Sequence, residues 1–285
     1  MRILICPNPY RDKQFRTALR VRDILAECGA ECLFCLPFGS EKNMEKTADI
    51  VFSDVRDVLP GCDAFLCLGG DGTILHASKH AAEQDVPILG INTGTLGFMS
   101  ELDTGELDLL KRLAAGDFTV EEHLRLRAEV ISKGKVVFSE HALNDAVITK
   151  GAVARVLHLG VLCDGHSVMS FAGDGVIVAT PSGSTAYSLS AGGPIVEPAA
   201  SNLLITPICA HDLATHSIVT DASRQITVVL DKVGKRNAFL SVDGGRAIRL
   251  EGGDEVRIRR SSKVSKLIKL KDSSFFDTIH QKFSI

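Results

Sequence analysis

The stretch Ala64–His76 constrains this chain most. Five apolar residues (Ala64, Phe65, Leu66, Cys67, Leu68) run into Gly69-Gly70-Asp71-Gly72-Thr73, and a helical pattern with Ile74, Leu75 and Ala77 follows at once. A short apolar run bounded by glycines reads as a strand buried on both faces, as in a parallel sheet. A glycine-rich turn from such a strand into a helix leaves the first-turn N–H groups unpaired at the positive end of the helix dipole, where phosphate binds. Glycines let the backbone approach the anion with no side chain between. Asp71 is the odd member, because a carboxylate repels phosphates unless a metal ion or a transferable proton lies between them. Glycines plus an acid therefore point to phosphoryl transfer with a divalent ion. The stretch matches neither the Walker pattern nor the dinucleotide fingerprint. Taken alone, it also reads as a tight turn in which Asp71 caps the helix.

Strand and helix patterns alternate through residues 1–116. Strands are expected at Arg2–Cys6, Glu31–Leu36, Asp63–Leu68 and Val86–Ile91, and helices at Lys13–Cys28, Thr73–Gln84 and Thr104–Ala115, the last capped by Asp103 or Thr104. This alternation predicts an α/β domain with a Rossmann-like parallel sheet, whose ligands collect at the carboxyl ends of its strands. Near residue 116 the hydrophobic period changes to two. Phe118–Ser132 alternates, and short strands at 135–138, 146–149, 156–161, 175–179, 225–230, 238–242 and 255–260 follow between Gly and Asp turns. That pattern predicts an all-β second domain over 117–265. Ser274–Phe283 reads as a helix or turn, with a tail of residues 266–285 packing back onto the first domain, and Arg257–Lys271 reads as a solvated strand face.

Composition narrows the function classes. A net charge of −3 lacks the basic balance that nucleic acid demands, and no apolar run approaches the roughly 20 residues of a membrane span. The opening residues break at Pro7 and read as a first strand rather than a signal peptide. Several of the eight cysteines (Cys6, Cys67, Cys163, Cys209) sit in apolar runs, which fits reduced thiols in a cytoplasmic protein. Cys32 and Cys35 have metal-ligand spacing but no second pair to complete a site, so they read as strand residues. His76 and His80 lie four apart on a predicted helix without the glutamate of the zincin pattern.

Three further stretches carry chemistry. Asn92–Met99 again follows a strand and again carries glycines; Phe98 is either a stacking surface for a base or a core residue. Asn144-Asp145 directly precedes an apolar strand, where an amide beside a carboxylate can grip ribose hydroxyls or an adenine edge, or simply make a turn. The densest stretch is Gly173–Ile195. A strand at 176–179 runs into Thr180-Pro181-Ser182-Gly183-Ser184-Thr185, small residues that let a ligand reach backbone and hydroxyls. Asp174 can accept from an amide such as that of nicotinamide, and Tyr187 offers a ring face. Asp243, in Ser241–Gly245, reads as a hairpin turn.

Assembled in this order, Gly69–Thr73, Asn92–Phe98, Leu143–Asp145 and Thr180–Ile195 resemble the NAD kinase family, across about residues 60–260. The first motif is shared with diacylglycerol and sphingosine kinases, whereas the last is specific to NAD kinases. The resemblance implies an α/β domain followed by a β-rich one, and transfer of a phosphoryl group from ATP or polyphosphate to the 2′-hydroxyl of the adenosine ribose of NAD. It further implies Mg²⁺ as the divalent ion and a homodimer or homotetramer. On this resemblance Asp71 is the general base, and Gly69, Gly70, Gly72 and Thr73 form the nucleotide site with Phe98. Asn144 and Asp145 hold the adenosine part of NAD, and Asp174 binds the nicotinamide amide. Thr185, Ala186, Tyr187, Ser188, Leu189 and Ser190 line the adenine and ribose pocket; Arg155 and Asp243 complete the set. Asp145 stands where the family usually has Glu, Ala172 where many members are basic, and Gly245 where some carry a polar side chain.

Two rival readings differ in class. A lipid or sphingoid kinase would need an apolar groove that 180–190 does not offer. An NAD-binding sensor without turnover would have no use for Asp71.

Overall fold

The computed structural model describes residues 1–37, 50–94, 97–151, 156–212, 214–230 and 238–283. The chain divides into two compact units, one of residues 1–122 with 265–285 and one of residues 123–264.

In the first unit β1 (Arg2–Pro7), β2 (Glu31–Cys35), β3 (Phe52–Ser53), β4 (Ala64–Gly69) and β5 (Ile88–Asn92) pair in parallel in the order β3-β2-β1-β4-β5. Every residue of β4 and β5 is buried, as expected for strands covered on both faces. Alternate strand residues separate into two cores. Ile3, Ile5, Leu66, Leu68, Leu89 and Ile91 pack against Ala18, Val21 and Leu25 of α1 (Arg16–Glu27). Leu4, Cys6, Phe65, Cys67 and Ile88 pack against Ile74, Ala77 and Ala81; these lie on α3 (Asp71–Gln84), which follows the one-turn α2 (Val55–Val58).

Two helices are shorter than the periodicity predicts. α1 starts at Arg16 because Gln14 and Phe15 take left-handed backbone angles, and the Asp12 carboxylate caps the helix by accepting from the N–H groups of Thr17 and Ala18. The helix expected from Thr104 is reduced to a 3-10 turn at Leu107–Leu109 and α4 (Leu110–Ala114). Leu102 and Asp103 form β6 (Leu102–Asp103) beside Ile91 and Asn92, so Asp103 belongs to a strand and caps nothing.

The second unit is β-rich. β7 (Thr119–Ser132) and β8 (Lys135–Ala142) form a hairpin, followed by β9 (Asp145–Lys150), the hairpin β10 (Leu157–Cys163) and β11 (His166–Gly173), β12 (Gly175–Ala179) and α5 (Tyr187–Ser190). β13 (Asn202–Ile208), β14 (Ile218–Asp221), β15 (Ile226–Leu230), β16 (Ala238–Val242), β17 (Ile248–Leu250) and β18 (Glu255–Lys269) complete it. One sheet is antiparallel in the order β14-β13-β12-β9-β16-β17, and β10 pairs with β11 and β15, which in turn pairs with β18. Ala146, Ile148, Val176 and Val178 share one core with Leu159, Val161, Val228 and Val256.

The basic stretch Arg257–Lys271 is not simply a solvated face. Ile258 is a core residue of the second unit, and Leu267, Ile268 and Leu270 are core residues of the first. α6 (Phe275–Phe283) follows. The return of this segment is fixed by Glu101, 5% exposed, whose Oε1 accepts from the N–H groups of Leu270 and Lys271 at 2.8 Å each while Oε2 pairs with Lys269 Nζ at 2.5 Å.

None of the eight cysteines is in a disulfide. Cys6, Cys35, Cys62 and Cys67 are buried, Cys32 and Cys163 half-buried, Cys28 and Cys209 exposed. Among the described residues no helix is long and apolar enough to cross a membrane.

Glu101→Ala removes a carboxylate shared by two amides and an ammonium, and is expected to cost about 3 kcal/mol of unfolding free energy, as for a buried pair that loses one partner. Chemical denaturation measures this cost, and limited proteolysis after Lys271 is expected to accelerate.

Candidate functional site

In the first unit the site grows from the turn between β4 and α3. Gly70 precedes the helix with no side-chain cap and Gly72 in the first turn is exposed, while the Thr73 N–H already donates to Gly70 O at 2.9 Å. Asp71 does not cap α3. Its carboxylate reaches to the next glycine-rich loop and accepts from the N–H groups of Phe98 at 2.8 Å and Met99 at 3.1 Å. Gly97 makes this reach possible, since a Cβ there would lie 1.9 Å from Asp71 Oδ1. Thr73 is buried, and its Oγ1 accepts from Asn8 Nδ2 at 3.1 Å. The structure thus brings Gly69, Gly70, Asp71, Gly72 and Thr73 beside Phe98.

Phe98 is half-buried, with ring centroids 6.5 Å from Phe275 and 6.2 Å from Phe283, and Lys282 Nζ stands 4.3 Å over its ring. One face of the ring therefore already carries a cation. A cavity of about 370 Å³ opens beside the same loop, lined by Asn92, Thr93, Gly94, Asp103 and Thr104. The Asn92 side chain shapes it by donating to Gly94 O and to Asp103, both at 2.9 Å.

In the second unit Asn144 and Asp145 stand at the start of β9, held from two sides. From one side the Asp243 carboxylate accepts from the N–H groups of Leu143 (2.8 Å), Asn144 (2.8 Å) and Asp145 (3.2 Å). Asp243 is a turn residue, at φ 49°, but its side chain organises the neighbouring loop. From the other side Thr180 donates its N–H to Asn144 O at 2.9 Å and its hydroxyl to Leu143 O. Gly183 completes the packing, since a Cβ there would lie 2.1 Å from Asn144 O.

Two features of this cluster point to a ligand. Asn144 Oδ1 is buried without a hydrogen-bond partner, which is costly unless a donor arrives. Asp145 is pushed up to about 7, chiefly by burial and further by the negative charge of Asp243. Burial also raises Asp243, but its three amides and the charge of Arg125 oppose that rise. The upward shift is therefore the less opposed at Asp145.

The other predicted residues are more scattered. Asp174 pairs with Lys150 Nζ at 2.6 Å, at the far end of β9. Because Ala179 lies opposite Asp145 and Gly175 opposite Thr149, Asp174 is about 17 Å from Asp145 along the strand, at ~3.4 Å per residue. Ser182–Thr185 form a 3-10 turn ahead of α5. Ser188 is buried with its Oγ 2.8 Å from Thr206 Oγ1, and the Thr185 hydroxyl donates to Ser182 O, so both are engaged within the loop. Ala186 and Leu189 are half-buried, while Tyr187 at 45% exposure and Ser190 face outward. Arg155 lies outside the described residues. Among the described residues no cluster of three or more His, Cys, Asp or Glu is spaced to hold a metal, and the rings of His76 and His80 lie 5.9 Å apart.

Several site residues escaped the sequence reading. Asn8 and Arg11 lie in the loop leaving β1, on the same sheet edge as Gly69; their position at a strand's carboxyl end was the available signal. Arg125, buried beneath Asp243, and His123, whose Nδ1 lies 2.7 Å from Ser182 Oγ, are hidden in an alternating strand that gives no hint of them.

Comparison with known proteins finds relatives along nearly the whole chain. Residues 3–118 match the ATP-NAD kinase N-terminal domain and residues 143–270 the ATP-NAD kinase C-terminal domain. The NAD kinase of Acetivibrio thermocellus is 36% identical over 287 residues, covering 99% of this chain and 96% of that protein. That of Ruminiclostridium cellulolyticum is 34% identical over 282 residues, covering 99% and 97%. In fold, the chain resembles yeast NADH kinase complexed with NADH (TM-score 0.85, 24% identity, 100% and 88% covered) and an NAD kinase from Archaeoglobus fulgidus in complex with ATP (TM-score 0.77, 24% identity, 100% and 99% covered). With both domain models matched in order and relatives of this similarity spanning nearly its whole length, the chain belongs to the ATP-NAD kinase family.

Proposed function

We propose that this enzyme transfers the terminal phosphoryl group of ATP, or of polyphosphate, to the 2′-hydroxyl of the adenosine ribose of NAD, forming NADP. The observation that carries the reading is the Asp71 carboxylate, held at 2.8 and 3.1 Å by the amides of the Gly97–Met99 loop at the start of a glycine-rich helix. A sugar hydroxyl must lose its proton as its oxygen attacks phosphorus, and Asp71 is the base assigned to take it. The N–H groups of Gly70, Asp71 and Gly72 are assigned to the donor phosphates. Positioning and electrostatics of this kind do most of the work in phosphoryl transfer.

The divalent ion of this reading is Mg²⁺. In this chemistry such an ion would be held largely by phosphate oxygens and water. Such an ion neutralises charge on the transferred group.

For NAD, the orphaned Oδ1 of Asn144 and the carboxylate of Asp145 are assigned to the adenosine hydroxyls or adenine edge, with Asp243 as the residue that holds both in place. Thr185–Ser190 line the adenine and ribose pocket, with Tyr187 supplying the exposed ring face. Asp174 is assigned to the nicotinamide amide, and its separation from Asp145 sets the two nucleosides at opposite ends of β12. Phe98 closes the donor side and Arg155 stays in the assigned set. The two domains of this reading are residues 1–116 with the 266–285 tail, and 117–265. A homodimer or homotetramer in the cytoplasm completes it; eight unpaired cysteines accord with a reducing compartment.

A dehydrogenase that accepts only NADP reports turnover in a mixture of protein, NAD, Mg²⁺ and either donor. Asp71→Asn is expected to lower kcat by about 10³-fold, the scale of general-base catalysis, while NAD binding by calorimetry holds. Unchanged turnover would remove Asp71 from the mechanism.

Asp145 makes NAD binding pH-dependent. If its ionised form accepts from the ligand, NAD affinity is expected to rise about ten-fold between pH 6 and 8, with proton release visible in buffers of different ionisation enthalpy. Stability runs the opposite way. The native carboxyl keeps a proton that the unfolded chain releases near 3.8, so its contribution is present at low pH and lost as pH rises through about 7. Asp145→Asn is expected to flatten both slopes; an unchanged NAD titration in that variant would place Asp145 outside the ligand contacts.

A further inference from the structure

Arg11 takes no part in the assignments above, yet its side chain lies across both glycine-rich turns of the first unit. A Cβ on Gly94 would come within 2.4 Å of Arg11 Nη1, and a Cβ on Gly70 within 3.9 Å of the same nitrogen. At Gly94 the guanidinium occupies space that exists because that turn carries no side chain, and at Gly70 it stands in van der Waals reach of the helix start.

Its backbone is fixed in that position. Asn8 donates its N–H to Leu68 O at 2.8 Å, tying the loop to the end of β4, and its Nδ2 to Thr73 Oγ1 at 3.1 Å, tying it to the first turn of α3. Asn8 Oδ1 accepts from Tyr10 N–H at 3.0 Å, and Asn8 O from Arg11 N–H at 3.1 Å.

The acids nearby are committed elsewhere. Asp12 caps α1 through Thr17 and Ala18, Asp71 accepts from the Phe98 and Met99 amides, and Asp103 accepts from the Asn92 side chain. Among the described residues no ion pair to Arg11 is formed. A guanidinium fork pairs bidentately with phosphate oxygens, and its charge is permanent. Here the fork sits beside a helix start, next to the cavity at Asn92–Gly94 whose one acidic lining residue, Asp103, is already hydrogen-bonded.

We propose that Arg11 binds the phosphate chain of the donor, holding it against the turns at Gly69–Thr73 and Gly94, and that it sets the enzyme's affinity for that chain. The proposal deepens the kinase reading and rests on it for the identity of the donor. Arg11 discriminates by charge and phosphate geometry, so ATP and bare polyphosphate both depend on it.

The test is calorimetric titration of the full chain with ATP and with inorganic tripolyphosphate, comparing wild type, Arg11→Ala and Arg11→Lys. Arg11→Ala is expected to weaken both probes by about ten-fold or more, the loss of a charge-assisted bidentate contact. Arg11→Lys should recover part of that loss, because it keeps the charge and loses the fork. NAD affinity and the melting temperature of the ligand-free protein should stay unchanged, as befits an exposed side chain. Equal affinity of wild type and Arg11→Ala for both probes overturns the proposal, and so does a wild type that binds neither. The two readings separate cleanly. Arg11-dependent binding in a protein that forms no NADP from either donor sinks the kinase reading and leaves Arg11 as an anion site. Full turnover with an unchanged KM for ATP in Arg11→Ala does the reverse.

Discussion

Two backbone amides, those of Phe98 and Met99, need an acceptor, and the carboxylate of Asp71 is the one they have. Much of the first unit's site depends on this contact. It holds the glycine-rich turn after β4 against the loop after β5, 27 residues on, beyond the point where the β4–β5 ladder ends with the Thr93 N–H on Gly69 O. It also keeps Asp71 from folding back to cap α3, so the amides at the helix start stay available to an anion. Gly97 is the necessary counterpart, because any side chain there would occupy the space of the carboxylate.

The second unit solves the same problem differently. There, too, one carboxylate gathers loop amides, but Asp243 collects three and is fully engaged in doing so. The groups it positions are the orphaned Asn144 amide oxygen and the Asp145 carboxyl, pushed up to about 7 by burial. In the proposed reading, anchoring and ligand contact coincide in Asp71 and are divided between residues around Asp243. A substitution at Asp243 would disturb three amides before it disturbed any ligand.

The sequence made the architecture legible wherever one physical signal dominated. The run Ala64–Leu68 announced a strand buried on both faces, and β4 is one. The change of period near residue 116 marked where parallel α/β patterning gives way to antiparallel strands. Local pattern failed where a competing interaction set the outcome. Asp103 looks like a helix cap, but a ladder to Asn92 claims it. Arg257–Lys271 looks solvated because charges dominate it, while its apolar residues enter three different cores. The candidate site was legible as motifs and illegible as contacts. No pattern at Asp71 shows that its partners lie at Phe98 and Met99, and none at Asp243 shows that it serves Asn144 and Asp145, because both depend on loops brought together by the fold. Arg11 was invisible for the same reason, since its meaning comes from two glycines 59 and 83 residues away.

The distribution of the thiols has a practical consequence. Buried cysteines in strands resist modification, while the two fully exposed ones, Cys28 and Cys209, fall one in each compact unit. Once the half-buried Cys32 and Cys163 are replaced by serine, the chain carries one addressable attachment point per unit. A donor and an acceptor fluorophore at Cys28 and Cys209 would then report, molecule by molecule, how the distance between the units responds as nucleotides are added.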